Sequence, residues 1–179
     1  GPPVQFVMPV AATLDRTRVE AQLKACGVTP GLIHTVTGAT HDALRHAEAA
    51  VVASGTATLE AALLECPMVV VYRVAAGTAF FARFMVNVPF YSIVNLLAGK
   101  PVVKELIQKD FTGKRVAAEV ERLLDDLPAR QKMVADFRAL RSRLGAGGAA
   151  PRAARAVAEM LQPSPRPVPV PPLSELKLS

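Results

Sequence analysis

The sequence predicts an α/β fold with a Rossmann-like parallel sheet, followed by C-terminal helices. Between residues 4 and 94, apolar runs of strand length alternate with helical patterns, which is typical of parallel sheets. The run at residues 69–71 is continuously apolar, as expected for a strand that helices cover on both faces. After Thr112 only helical patterns follow, so the sheet should end before that residue.

The predicted elements follow one another along the chain in a regular order. Strands are predicted at residues 4–10, 32–36, 49–53, 69–71 and 91–94. Helices are predicted after Ser54 and at residues 13–25, 42–47, 77–87, 115–124, 128–144 and 151–161. Residues 163–172 hold six prolines, which predicts an extended, disordered tail. We therefore divide the chain into a sheet domain at residues 1–111, a helical segment at 112–162 and the tail at 163–179.

A small polar loop joins the third strand to the next helix. Gly55 would let a ligand approach the backbone closely, and Ser54 or Thr56 could cap the helix. Free N–H groups at the helix start would then face an anion beyond the strand end. Glu60 lies about one turn further on, where its carboxylate could accept hydrogen bonds from sugar hydroxyls. Taken alone, the loop is equally typical of an ordinary capped helix in an α/β sheet.

Three polar residues, Ser54, Arg73 and Asn95, each follow a predicted strand. The ligands of open parallel sheets bind at the carboxyl ends of the strands. These three residues are therefore candidates for a ligand site.

The composition favours one aliphatic domain without a metal centre. Of the 179 residues, 51% are hydrophobic and none is tryptophan, so a sizeable core of aliphatic side chains is expected. Cys26 and Cys66 lack CxxC spacing and are predicted to be buried, reduced thiols. The three histidines show no convincing ligand spacing, so we expect no metal and no cofactor. No stretch reaches the ~18 apolar residues that a membrane span needs.

The formal charge of +6 is concentrated near the C-terminus. Residues 129–166 hold two acidic residues and eight basic ones, namely Arg130, Lys132, Arg138, Arg141, Arg143, Arg152, Arg155 and Arg166. A solvated helix face would explain this excess, and so would attraction to an anionic lipid surface or to nucleic acid. Phe137 is the only aromatic residue among these charges, which disfavours single-stranded nucleic acid, and we predict no nucleic-acid partner.

Four motifs in one order carry a resemblance to a known family. They are Ser-Gly-Thr-Ala-Thr-Leu-Glu from Ser54, Pro-Met-Val-Val-Val-Tyr-Arg from Pro67, Asn-Leu-Leu-Ala-Gly from Asn95 and Glu-Leu-Ile-Gln from Glu105. In this order and spacing they closely resemble lipid-A-disaccharide synthases, from about residue 4 to about residue 161. The resemblance implies the C-terminal half of a two-domain GT-B glycosyltransferase, here without the first strand of its sheet.

The resemblance also implies a reaction and its surroundings. The family is a hexosyltransferase of lipid A, and so of lipopolysaccharide, biosynthesis. It transfers 2,3-diacylglucosamine with inversion from UDP-2,3-diacylglucosamine to 2,3-diacylglucosamine 1-phosphate and releases UDP. Such an enzyme would be cytoplasmic, peripheral at the inner membrane of a Gram-negative bacterium, in contact with an anionic membrane surface and able to form a homodimer. No cofactor is implied.

On the nucleotide side, the resemblance assigns roles to four residues of this chain. Ser54, Gly55 and Thr56 match the loop beside the nucleotide. Glu60 matches the acidic residue expected to bind the ribose hydroxyls. Hydrogen bonds to a carboxylate are stronger than those between neutral groups, which suits this role.

Six further residues are assigned to the phosphates and the donor sugar, namely Tyr72, Arg73, Asn95, Gly99, Glu105 and Gln108. Arg73 would neutralise phosphate charge. Asn95 and Gly99 belong to the motif near the donor sugar, with Glu105 and Gln108 as further polar contacts.

The N-terminal half of the family has no match in this sequence. In the family that half binds the acceptor and supplies the general base, so the catalytic base is unknown here. The sequence opens Gly1-Pro2-Pro3 without an initiator methionine and is expected to be a fragment that is inactive by itself. Its expected share of the reaction is donor placement and stabilisation of the leaving group.

Two other functions stay open. An epimerase or another sugar-nucleotide transferase could use the same fold, although the motifs at Asn95 and Glu105 argue against it. A non-enzymatic interaction domain could instead act through the basic C-terminal helices. Binding of UDP separates the enzymes from the interaction domain.

Overall fold

The computed structural model describes residues 4–73, 89–145 and 147–161. Five strands lie in these ranges: β1 (Phe6–Val10), β2 (Ile33–Thr37), β3 (Ala50–Ala53), β4 (Met68–Tyr72) and β5 (Lys104–Ile107). They also hold seven α-helices: α1 (Arg16–Ala25), α2 (Thr40–His46), α3 (Thr56–Leu63), α4 (Ile93–Ala98), α5 (Gly113–Asp125), α6 (Leu127–Leu144) and α7 (Ala149–Leu161). A 3₁₀ turn at Gln108–Asp110 follows β5.

The strands form two parallel sheets. β1 pairs with β2, and β3, β4 and β5 form a second sheet with β4 in the centre. The predicted α/β class with parallel strands is confirmed, but the predicted single sheet is observed as two. Within the described residues, neither β1 nor β3 pairs with a strand on its other edge. The helix that joins the two sheets, α2, lies against both β1 and α3.

The centre of the core is β4. Its residues Met68, Val69 and Val70 are fully buried. Alternate side chains of a strand point to opposite faces, so both faces of β4 must be covered. One face packs on α3 and α6, through Ala61, Met133, Phe137 and Leu140, with Val52 of the paired strand β3 beside it. The other face packs on α5, through Val116 and Val120, with Leu106 of the paired strand β5 beside it. The sequence-based expectation for residues 69–71 is therefore confirmed.

The chain divides into two compact units, residues 1–143 and residues 144–179. The first unit contains α5 and most of α6 together with the sheets. In the second unit, α7 exposes Val157, Met160 and Leu161 to solvent. The predicted tail at residues 163–179 and the predicted helix at residues 77–87 lie outside the described residues.

The prediction of a strand at residues 91–94 is wrong. Ile93 to Ala98 form α4 instead, and the Ser92 side chain caps it by accepting a hydrogen bond from Asn95 N at 3.2 Å. A short apolar run is compatible with a strand or a buried helix, and here the cap decides for the helix. Asn95 is therefore inside a helix and not at a strand end. The fifth strand is β5, which the sequence did not reveal.

Two smaller expectations also need correction. The cap of α1 is Asp15 and not Thr13, because the Asp15 carboxylate accepts from Thr17 N at 2.9 Å. Both cysteines are free thiols, but only Cys66 is buried, whereas Cys26 is exposed. Burial raises the pKa of Cys66 to about 11, since a thiolate would lose its hydration there.

Candidate functional site

The carboxyl ends of β3, β4 and β5 meet at one edge of the second sheet. Ala53 is paired with Val71, and Tyr72 with Ile107, so the three strands end at nearly the same height. Ser54 N continues the ladder by donating to Val71 O at 2.9 Å. The residues that follow the strands, Ser54, Arg73 and Gln108, therefore lie along this edge. The sequence-based expectation holds for Ser54 and Arg73, and Gln108 takes the place given to Asn95.

At this edge the backbone of Gly55 turns the chain from β3 into α3. Its φ of 153° and ψ of −164° lie in a region that strongly favours glycine. Gly55 is itself the N-cap of α3, and no side chain caps the helix, so the predicted cap by Ser54 or Thr56 is wrong. The Ser54 hydroxyl instead donates to Tyr91 O at 2.9 Å. The first N–H groups of α3 consequently have no side-chain acceptor among the described residues, although Thr58 N donates to Gly55 O at 3.1 Å.

On α3, the carboxylate of Glu60 projects slightly more than one turn beyond this loop. Its side chain is 48% exposed, and its Oε2 lies 3.5 Å from His41 Nε2. His41 belongs to α2, which follows a different strand. The carboxylate can thus accept hydrogen bonds from a ligand while it stays in contact with the imidazole.

The guanidinium of Arg73 is held at the end of β4 by Phe111. Its Nη2 donates to Phe111 O at 2.6 Å, and its Cζ lies 5.0 Å from the centre of the Phe111 ring. This pair combines a hydrogen bond with a cation–π contact. A guanidinium has five N–H donors, so donors remain for an anionic ligand. Tyr72, the last residue of β4, is partly exposed beside it.

In contrast to these exposed groups, Asn95 is 1% exposed. Its Nδ2 donates to Val103 O at 2.9 Å and to Glu105 Oε1 at 2.8 Å. Its Oδ1 accepts from Val102 N at 2.8 Å and from Val103 N at 2.9 Å. Two donors and two acceptor sites are the whole capacity of an amide side chain. Asn95 therefore has no capacity left for a ligand in this structure.

The carboxylate of Glu105 connects β5 to the segment before α4. It accepts from Tyr91 N and from Ser92 N, each at 2.9 Å, in addition to the amide of Asn95. The same segment binds Ser54 through Tyr91 O. Asn95 and Glu105 thus fix the backbone that holds the Ser54 loop in place.

The last two predicted site residues have unusual backbone conformations. Gly99 ends α4 with a φ of 68°, and its N–H donates to Asn95 O at 2.9 Å, which is a common glycine helix ending. Gln108 has a φ of 53°, which is uncommon for a residue with a side chain. It is the residue directly after β5, at the edge where Ser54 and Arg73 lie.

Sequence reasoning missed three contributors, namely His41, Ser92 and Phe111. Ser92 could have been found, because a serine directly before an apolar stretch is a helix-cap signal. Nothing in the spacing of His41 or Phe111 points to Glu60 or Arg73, since both contacts join elements that are distant in sequence.

A separate cavity of about 380 Å³ lies between α1 and β2. Leu23, Val28 and Ile33 line it, and none of the predicted site residues does. Its polar wall is a network in which Thr35 Oγ1 and Arg16 Nε both donate to Glu20 Oε1, at 2.6 and 2.7 Å.

Neither a metal-binding cluster nor a membrane-spanning helix lies in the described residues. In the described parts of the chain, no three His, Cys, Asp or Glu side chains are grouped so that they could hold a metal ion. Across residues 4–73, 89–145 and 147–161, no helix combines the length and the apolar character that crossing a membrane requires.

Comparison with known proteins gives one consistent result. A family model described as lipid-A-disaccharide synthetase matches residues 2–154. A lipid-A-disaccharide synthase of Myxococcus xanthus is 44% identical over 162 residues, which are 90% of this chain and 42% of that protein. Those of Syntrophus aciditrophicus and Koribacter versatilis are 44% and 41% identical, over 85% and 90% of this chain. The chain spans about two fifths of the length of these relatives.

Proposed function

This chain belongs to the lipid-A-disaccharide synthase family, and we propose that it forms the UDP-sugar-binding, C-terminal part of such an enzyme. The proposed site is the carboxyl edge of β3, β4 and β5. The observation that carries the proposal is the uncapped start of α3 at Gly55, with Glu60 one turn further along the same helix. A nucleoside diphosphate needs both features, a place for anionic phosphate and an acceptor for ribose hydroxyls.

In this proposal the diphosphate lies at the start of α3. The free N–H groups and the helix dipole there favour negative charge. Arg73 supplies the neutralising cation from the end of β4, with Phe111 holding its guanidinium. As the bond between sugar and diphosphate breaks, negative charge grows on the diphosphate, so these groups stabilise the transition state more than the bound donor.

The ribose of UDP lies against Glu60 in this proposal. The carboxylate is exposed enough to accept the two ribose hydroxyls, and its Oε1 makes no hydrogen bond to another side chain within the described residues. Charge-assisted hydrogen bonds of this kind are roughly twice as strong as neutral ones. Glu60 would therefore supply much of the affinity for the nucleotide.

Asn95 and Glu105 receive a different role from the one that the motif suggested. Both are engaged with backbone groups, so we assign them to positioning the Ser54 loop and not to contact with the donor sugar. Gly99 shares that role because its backbone ends α4 beside them. Tyr72 and Gln108 stay as candidate donor contacts at the strand ends.

The complete reaction is proposed for the full-length protein. It is transfer of 2,3-diacylglucosamine from its UDP-linked donor to 2,3-diacylglucosamine 1-phosphate, with inversion at the transferred sugar carbon. The acceptor hydroxyl loses its proton to a base, and the sugar–oxygen bond to UDP breaks as the new glycosidic bond forms. The residues of this chain bind the donor and stabilise the departing UDP, and the base lies in the part of the relatives' length that this chain does not span.

The proposed surroundings are the cytoplasmic face of the inner membrane of a Gram-negative bacterium, and a homodimer. The basic residues near the C-terminus support the contact with anionic lipid. Three of them already pair with carboxylates, however: Arg130 with Glu48, Lys132 with Asp136 and Arg138 with Glu65. The attraction to anionic lipid should thus come chiefly from the remaining basic residues near the C-terminus, and it should weaken as the salt concentration rises.

The test is calorimetric titration of UDP into the full-length protein that carries this chain. Glu60→Ala should weaken UDP binding roughly ten- to a few-hundred-fold, because two hydrogen bonds to a charged group are lost. Glu121→Ala is the matched control, an exposed glutamate on α5, and should bind like the wild type. Equal UDP affinity in the wild type and in Glu60→Ala would refute the site, and no UDP binding in the wild type would refute the function.

A further inference from the structure

The contact between His41 and Glu60 joins two elements that the sequence keeps apart. His41 lies in the first turn of α2, and Glu60 lies in the second turn of α3. Their Nε2 and Oε2 atoms are 3.5 Å apart, and the side chains are 71% and 48% exposed. The contact therefore forms at the surface of the molecule, where solvent and ligands can reach the carboxylate.

Of the three histidines, His41 is the one whose ring contacts a carboxylate. The ring of His46 is engaged within its own helix, with Nδ1 2.8 Å from Asp42 O. His34 lines the separate cavity between α1 and β2. The pairing at His41 is therefore a specific feature of this position and not a general property of histidines in the chain.

An exposed glutamate has three rotatable side-chain bonds, and fixing them on binding costs conformational entropy. A partner that already holds one carboxylate oxygen reduces that cost, since the side chain is partly ordered before the ligand arrives. With Oε2 next to His41, Oε1 and the remaining lone pairs of Oε2 stay available as acceptors.

We propose that His41 is a positioning residue for nucleotide binding, which holds the Glu60 carboxylate in the orientation that accepts the two ribose hydroxyls of a nucleoside diphosphate. This inference rests on the proposed function and deepens it. His41 acts through Glu60 and does not itself touch the ligand. Helix α2, which follows β2, thereby contributes to a site whose other members follow β3, β4 and β5.

The test compares UDP binding in variants of the full-length protein that carries this chain. His41→Ala should weaken UDP binding about two- to fivefold, the range that an exposed ion pair provides. His41→Gln places an amide donor near the same position and should restore most of the affinity. His46→Ala, on the same helix but without a carboxylate contact, should bind like the wild type.

Two further measurements separate positioning from direct contact. With 2′,3′-dideoxy-UDP, which lacks the ribose hydroxyls, His41→Ala and the wild type should bind equally. In a Glu60→Ala background, adding His41→Ala should cause no further loss. A loss that persists in either experiment overturns the positioning role, and so does wild-type UDP affinity in His41→Ala.

The outcomes also distinguish this inference from the proposed function. If Glu60→Ala weakens UDP binding and His41→Ala does not, the site stands and the role of His41 is refuted. If the wild-type protein does not bind UDP, the proposed function and the role of His41 fall together. Thermal melting of each variant checks that the change in affinity does not come from unfolding.

Discussion

Replacing Asn95 by alanine should destabilise the protein more than any other change at the candidate site. The substitution removes four hydrogen bonds inside a region that excludes water. The N–H groups of Val102 and Val103 lose their acceptor, and Val103 O and the Glu105 carboxylate lose a donor. A methyl group in place of the amide offers none of these groups a new partner.

The magnitude follows from the burial of these groups. A buried donor or acceptor without a partner costs about 1–3 kcal/mol. Val103 is buried and Val102 is half-buried, so we expect a total loss of about 3 kcal/mol in the free energy of unfolding. For a full-length protein more than twice as long as this chain, as its relatives are, that corresponds to a fall in Tm of about 3–5 °C.

Thermal and urea unfolding of the purified full-length protein measure this loss. Leu96→Ala is the matched control, since Leu96 is the next residue of α4 and is exposed, and its Tm should change much less. If Asn95→Ala melts within about 2 °C of the wild type and loses only turnover, the amide faces a ligand and the structural argument is wrong.

Two other predictions concern the cysteines and one ion pair. Iodoacetamide at pH 8 should alkylate the exposed Cys26 and spare Cys66, whose pKa is raised to about 11 by burial. Mass spectrometry of the alkylated native protein measures this, and an alkylated Cys66 would contradict the prediction. Arg138 lowers the pKa of Glu65 through a hydrogen bond, so the pair stabilises the protein above the ordinary glutamate pKa and ceases to do so as pH falls through the lowered value. The small stability difference between the wild type and Glu65→Gln should therefore be present at pH 7 and shrink at low pH in urea unfolding, and a difference that grows in acid would contradict the pairing.

The sheet was predictable where burial alone determines which positions of a strand carry apolar side chains. Helices cover both faces of β4, so Met68 to Tyr72 carries apolar side chains at nearly every position and stands out in the sequence. The loop at Gly55 was predictable because its backbone conformation favours glycine. Both features are local, which is why one segment of sequence is enough to find them.

The part of the site around Asn95 was not predictable in this way. Tyr91, Ser92, Ile93 and Val94 suit a strand by residue type, and the helix is set by the Ser92 cap together with the Glu105 carboxylate, which binds Tyr91 N and Ser92 N. Glu105 shows the same effect, because the role of this half-buried carboxylate in a strand is explained only by the Tyr91 and Ser92 N–H groups that it binds. These contacts join residues far apart in sequence, so no local pattern contains them.

Each of β1 and β3 has one edge that pairs with no other strand in the described residues. α2 connects the two sheets and lies against β1. Val7 on β1 and Val51 on β3 are 51% and 49% exposed, although central strands of parallel sheets are normally covered. Unpaired strand edges also carry free N–H and C=O groups that bind further strands.

We therefore expect one further parallel strand between β1 and β3 in the full-length protein, joining the two sheets into one. The chain spans about two fifths of the length of its relatives, so ample sequence is available to supply that strand. Hydrogen exchange should then protect the amides of both edges in the full-length protein and leave them unprotected in a protein limited to residues 1–179. Rapid exchange of the β3 edge in the full-length protein would show that the sheets stay separate, because a central strand has no amides that open to water without unfolding.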